Sequence, residues 1–286
     1  MKNTIKNFLR NFLTTIMSPN WIWNLYKPIA ELNADIYLKK KQKEKAENDI
    51  KFFEKFRYLI SDTVQSGPFK GLKYPFLSSL HSTLFPKLLG CYEAELHEVL
   101  NKVFHKKYYS ILDIGCAEGY YAVGLAKRFP DSIVYAADIN PEAREKTKIM
   151  AHANGFTRTD TFQVIEEITP GFLLGMDPSQ RHLIFSDCEA YESILFSDEV
   201  ISHLSNSDII VELHDFICPG VSDMLQKRFE LTHSVQLITS IDDLFRYRMT
   251  SNPDIKKLPI SDQNNILAEK RPTQMEWIFC EARNME

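Results

Sequence analysis

Ile111-Leu112-Asp113-Ile114-Gly115-Cys116-Ala117-Glu118-Gly119-Tyr120-Tyr121 decides how the rest of the chain is read. The apolar run Ser110–Ile114 predicts a buried strand. Gly115 and Gly119 flank a tight loop that opens a helix reaching about Arg128. Glycine admits unusual backbone angles and lets a ligand approach the main chain without meeting a Cβ. The helix start then offers free N–H groups and partial positive charge to an anionic group. Asp138 closes the next apolar run, Ser132–Ala137, 19 residues beyond Gly119. A carboxylate at that strand tip can accept hydrogen bonds from both hydroxyls of a ribose. Strand, glycine loop, helix, strand and terminal acid thus follow the order that a nucleoside-like cofactor requires.

Outward from this stretch, strands and helices alternate. Asn140 is placed to cap a helix whose first residue is Pro141, and Gly155 to stop it. Thr161–Ile165, His182–Ser186 and Asp208–Leu213 read as further buried strands, and Thr232–Thr239 and Gln274–Cys280 complete the set. The alternation predicts an α/β fold with a mostly parallel sheet covered on both faces. Upstream, Glu93 to Phe104 reads as an amphipathic helix with Leu96, Val99, Leu100 and Val103 on one side. We divide the chain into a helical and irregular extension, residues 1–90, and a catalytic domain, residues 91–286.

The extension opens with Lys2, Lys6, Arg10 and Lys27 and carries no acid before Glu31. Ile5, Phe8, Leu9, Phe12, Leu13 and Ile16 recur at the spacing of one helical face. Such a helix, over residues 2–17, can pack on protein or rest peripherally on an anionic membrane. Residues 39–57 are a mixed-charge run suited to a solvated helix or connector. Gly67-Pro68 and Gly71 punctuate turns or short strands before Pro86.

The 286 residues carry a net charge of -4, with 44% hydrophobic and 25% charged residues. That balance is ordinary for a globular protein and argues against one built to neutralise nucleic-acid phosphates. The five scattered cysteines show no zinc spacing and read as reduced thiols in a cytoplasmic protein.

A nicotinamide-binding loop would carry Gly-x-Gly-x-x-Gly, whereas here Ala117 and Tyr120 stand at the second and third glycine positions. From Cys91 to Glu281 the chain instead resembles the class I S-adenosylmethionine-dependent methyltransferases, with Ala117 where many members have glycine. The resemblance implies a Rossmann-like sheet whose last strand, Gln274–Cys280, runs antiparallel beside the strand starting near Thr232. It implies S-adenosylmethionine as methyl donor, lying over Asp113, Gly115, Cys116, Ala117, Glu118 and Gly119 with its ribose on Asp138. Glu166 is the stand-in for an adenine-binding acid, and Tyr92 and Glu93 could border the cofactor.

Asp187-Cys188-Glu189-Ala190-Tyr191-Glu192 is similar to the Asp-x-Glu-Gly-x-Glu motif of FkbM-type methyltransferases, with Ala190 for the glycine, and Glu212-Leu213-His214 resembles their Glu-x-His. That family is associated with O-methylation of sugars and related hydroxylated products. The resemblance implies a hydroxyl on a sugar, glycan or glycosylated metabolite as acceptor, and a catalytic set of His214, Asp187, Glu189 and Glu212.

A hydroxyl attacking a sulfonium methyl must shed its proton, and a histidine is the natural base. His214 without metal is therefore the favoured route. The second route is a divalent metal on Asp187 and Asp215, 28 residues apart, a spacing similar to that of metal-dependent O-methyltransferases. Arg246, Arg248, Lys256, Lys257, Lys270 and Arg271, in the long connection 240–273, either clamp an anionic acceptor or form a solvated surface. Two other functions stay open: a non-catalytic cofactor-binding scaffold, and a nucleic-acid methyltransferase. The negative net charge and the lack of an Asn/Asp-Pro-Pro-aromatic motif count against the latter.

Overall fold

The computed structural model describes residues 20–80 and 82–283. The apolar face expected over residues 2–17 lies outside them. Contacts divide the chain between Arg57 and Tyr58. In the first unit, α1 (Asn20–Phe56) is a single 37-residue helix that carries Pro28 within it. Its mixed-charge second half is largely exposed, as such composition requires. No described helix is long and apolar enough to cross a membrane.

The second unit holds α2 (Leu84–Leu89), α3 (His97–Val103), β1 (Ser110–Ile114), α4 (Tyr120–Arg128), β2 (Ile133–Ala137) and α5 (Pro141–Ala153). There follow β3 (Phe162–Ile165), α6 (Pro170–Leu174), β4 (His182–Ser186), α7 (Glu192–Leu195), α8 (Asp198–His203) and β5 (Asp208–Leu213). The remainder is α9 (Val221–Phe229), β6 (His233–Thr239), α10 (Pro253–Lys256), α11 (Ile260–Leu267) and β7 (Glu276–Ala282).

The seven strands lie in the order β3-β2-β1-β4-β5-β7-β6. β1 to β5 pair in parallel, while β7 runs antiparallel between β5 and β6. This is the Rossmann-like class I methyltransferase sheet, with the inserted last strand that the resemblance implied. β1, β4 and β5 are buried at every position, as strands covered on both faces must be. On one face Leu112, Ile184 and Ile209 pack with Leu195, Val200 and Leu225. Elsewhere in the core, Phe185 stacks on Tyr121 at 4.0 Å and meets Trp277 at 5.2 Å.

Local rules hold where a single residue controls the chain. The Asn140 side chain caps α5 by accepting from Glu142 N–H at 2.9 Å, and Gly155 ends it with φ +91. The expected helix from Glu93 is different. Glu93 is left-handed, with φ 47, and a 3-10 turn over Ala94–Leu96 precedes α3. Its buried side chain is drawn into the ion network described below.

Residues 58–90, assigned from the sequence to the extension, fold in the second unit. Gly67 to Gly71 form a turn closed by hydrogen bonds from Val64 N–H to Leu72 O and from Gly71 N–H to Val64 O, both 2.9 Å. Phe69 packs edge-on against Tyr120 and Tyr121 of α4.

Candidate active site

A cleft of about 740 Å³ opens where the C-terminal ends of β1, β2, β4 and β5 converge. It sits at the β1/β4 switch in strand order, where ligands of open α/β sheets bind. Asp113, Gly115, Cys116, Ala117 and Asp138 line one half, and Asp187, Glu189, Glu212 and His214 the other. Tyr92, Glu93 and Glu166 also reach it, whereas Glu118, Gly119 and Asp215 are not among its lining residues.

The glycine loop is shaped by backbone necessity. Gly115 has φ +85, and a Cβ there would strike the Asp187 carbonyl. Ala117 keeps the left-handed geometry of the glycine it replaces, with φ 47. Its N–H donates to Asp138 Oδ2 at 2.9 Å, while Asn140 N–H donates to Oδ1 at 2.8 Å. The Asp138 carboxylate is thereby held rigidly at the strand tip. Asp113 is buried, and its Oδ2 has no hydrogen-bond partner. Burial pushes its carboxyl up to about 7, against a hydrogen bond from the Ala122 backbone. An orphaned buried acceptor beside a cleft is a natural seat for a ligand's donor.

Glu118 turns away from the cleft. It accepts from Lys87 Nζ at 2.5 Å, Tyr74 Oη at 2.6 Å, Ser79 Oγ at 2.7 Å and Leu80 N–H at 3.1 Å. Burial opposes its ionisation, yet Lys87 and the hydroxyl donors hold its carboxyl down at about 2. The residue therefore ties the glycine loop to the segment 74–87. Gly119 packs against Thr147 instead of facing the cleft.

After β4 the chain takes two consecutive left-handed residues, Glu189 with φ 53 and Ala190 with φ 77. The Ala190 position favours glycine, because a Cβ costs about 1–2 kcal/mol in this region. Ala190→Gly should therefore raise stability by about 1 kcal/mol in a denaturant titration. An unchanged or lower midpoint would show that the loop relaxes without strain.

His214, buried just beyond β5, is fixed by an unanticipated partner. Its Nδ1 lies 2.9 Å from Oε1 of Glu192, which is itself fully buried. Its Nε2 faces Asp187 Oδ1 at 3.4 Å, Glu212 Oε2 at 3.6 Å and Glu189 Oε2 at 3.7 Å. Burial alone would lower the imidazole pKa, but the Glu192 bond and the surrounding carboxylates raise it. Asp187 is pushed well up by burial and by Glu212 beside it. Asp215 takes no part: it accepts from Gly220 N–H at 2.9 Å and from the Ser222 hydroxyl at the start of α9.

Arg271, from the long connection before β7, reaches the cleft and is spent on carboxylates. It bonds Glu212, Glu93 at 2.8 Å and Glu269 at 3.0 Å. Glu93 also accepts from the Tyr121 hydroxyl. Burial, against the pull of Arg271, pushes the Glu93 carboxyl up to about 7. Arg246 is likewise buried on Glu269, whereas Arg248, Lys256 and Lys257 are more exposed. No sequence signal joined residue 93 to residue 271, because only closure of the sheet brings them together.

No family model matches the chain. A tRNA1(Val) (adenine(37)-N6)-methyltransferase of Porphyromonas gingivalis is 29% identical over 172 residues, 56% of this chain. The chain spans 65% of that relative's length. Among solved structures, a putative O-methyltransferase from Klebsiella pneumoniae aligns over 68% of this chain and 81% of its own, at 12% identity and a TM-score of 0.44. A precorrin 8w decarboxylase of Methanobacterium thermoautotrophicum aligns over 72% and 99%, at 17% identity and a TM-score of 0.43.

Proposed function

We propose that this chain transfers a methyl group from S-adenosylmethionine to a hydroxyl of a sugar, glycan or glycosylated metabolite. The donor lies over the Gly115–Ala117 turn. Its ribose hydroxyls donate to Asp138, and its ammonium fills the orphaned acceptor on Asp113. Asp187, Glu189, Glu212 and His214 face the acceptor and handle its proton. The hydroxyl oxygen forms a bond to the methyl carbon, the carbon–sulfur pair stays on sulfur, and the proton leaves with the carboxylate and imidazole cluster.

The acidity of the cleft carries the choice of acceptor. Nine carboxylate side chains line it against Lys87, Lys270 and Arg271, and Lys87 and Arg271 are already paired with glutamates. A phosphate backbone gains affinity by meeting free basic groups, and the lining is of the opposite sign. The P. gingivalis relative favours an adenine in tRNA as the competing acceptor. Against it, the chain contains no Pro-Pro pair from which the base-amine motif could be built.

Calorimetric titration with S-adenosylmethionine and S-adenosylhomocysteine tests the cofactor. Asp138→Ala should weaken binding by about 1.5–3 kcal/mol, the range for hydrogen bonds to a charged group. A folded wild type that binds neither ligand would end the proposal. Labelled donor, offered glycosides and total tRNA in parallel, tests the acceptor. Label in tRNA alone would replace the hydroxyl reading with the base-amine one.

A further inference from the structure

We infer that Asp187, Glu212 and His214 form the binding site of one divalent metal ion. One ligand atom from each lies within 4.8 Å of the others. Two observations separate this cluster from a chance gathering of acids. First, His214 is 3% exposed at its side chain, with Nδ1 committed to Glu192, so the second ring nitrogen alone faces the group. That nitrogen is ringed by three carboxylate oxygens at 3.4, 3.6 and 3.7 Å, beyond the usual N–H···O length of about 2.7–3.2 Å. Second, Asp187 Oδ1, the nearest of the three, is a buried atom with no hydrogen-bond partner. One ring nitrogen and three carboxylate oxygens around one point leave a place for a cation.

The outer contacts fit the same reading. A metal-bound histidine characteristically gives its other N–H to a carboxylate, and ligating carboxylates are themselves hydrogen-bonded. Glu192 does the first, and Arg271 bonds Glu212 Oε1 while Oε2 faces His214. Atoms held at about 2.1 Å from one octahedral ion lie about 3 Å apart when adjacent and about 4.2 Å when opposite, close to the spread found here. One imidazole with two carboxylates suits manganese or a similar transition ion better than calcium or magnesium, which favour oxygen-only shells.

Asp187 is 34% exposed at its side chain, so the ion would keep open positions toward the cleft. The geometry thus reverses the preference for a metal-free histidine base, and it replaces Asp215 with Glu212 and His214 as ligands. Resting on the proposed methyl transfer, the ion would bind the acceptor oxygen and ease loss of its proton to Glu189. That carboxylate is 69% exposed and lies on the rim of the group.

The test is a titration of the full chain with Mn2+ alone, followed by electron paramagnetic resonance and calorimetry. One ion should bind per chain. Asp187→Asn should weaken it at least about tenfold, and Glu192→Gln by about 10–100-fold, the range for an outer-shell partner. Asp215→Asn should bind as the wild type does, since that residue is turned to Gly220 and Ser222 at the start of α9. Circular dichroism of each variant excludes misfolding as the cause. A wild type that leaves the manganese signal free, or an Asp187→Asn protein that binds undiminished, overturns the inference. Cofactor titration without metal reports separately on the methyl-transfer reading, so either can fail alone.

Discussion

Glu118→Gln should destabilise the protein by about 3–5 kcal/mol, the cost of removing one partner from a buried ion pair. Glu118 and Lys87 are 0% and 4% exposed at their side chains and 2.5 Å apart. The amide would leave the Lys87 ammonium buried without its counter-charge. It would also convert an acceptor of four donors into a group with one carbonyl oxygen, whose NH2 then faces either the Leu80 N–H or the Tyr74 and Ser79 hydroxyls. Because Glu118 neighbours Gly119 and its partners span 74–87, the loss should loosen the glycine loop as well. A shift in the denaturant midpoint of less than the equivalent of 1 kcal/mol would show that water replaces the pair.

The same group sets a pH dependence. Its folded carboxyl lies at about 2 and its ordinary value is 4.5. The folded state therefore binds the proton less readily than the unfolded chain does. The stabilisation is complete above about pH 4.5 and is lost as pH falls toward 2. Glu118→Gln should remove that share of the acid sensitivity.

Much of the fold was legible because few residues control it. Asp113, Gly115 and Asp138 mark the ends of two consecutive strands, and the apolar runs placed the other strands to within a few residues. The site was legible only in part. Glu212 and His214 are two apart, so they project to the same side of an extended chain. Asp215, one residue further, falls on the other side and bonds Gly220 and Ser222. Spacing along the sequence could not separate these choices, which is why Asp215 was paired with Asp187. Glu118 sits inside the glycine loop, but its side chain is buried on Lys87 and does not line the cleft. Glu192 was visible as the last acid of a motif, yet nothing local showed that it would reach His214. Arg271 was one of six basic residues in a long connection. Its role depends on Glu93 and Glu212, two separate segments joined to it only in the folded chain.

His214→Ala should lower turnover by at least about 10–100-fold, the cost of losing even an outer partner of a bound ion, which corresponds to about 1.4–2.7 kcal/mol of barrier. Cofactor affinity should hardly change, because the contacts proposed for the donor come from β1 and β2 whereas His214 follows β5. The effect combines several losses. Nε2 no longer contacts the acceptor group or its ion, Glu192 keeps a buried carboxylate without its imidazole, and Asp187, Glu189 and Glu212 face one another with less positive charge between them. His214→Gln retains a donor toward Glu192 and should recover folding stability without recovering rate. In the wild type, chelation should abolish activity and manganese restore it. Activity that survives chelation but not His214→Ala would return the histidine to the role of metal-free base. Full activity in His214→Ala would remove it from the chemistry altogether and leave Asp187 and Glu212 to be tested alone.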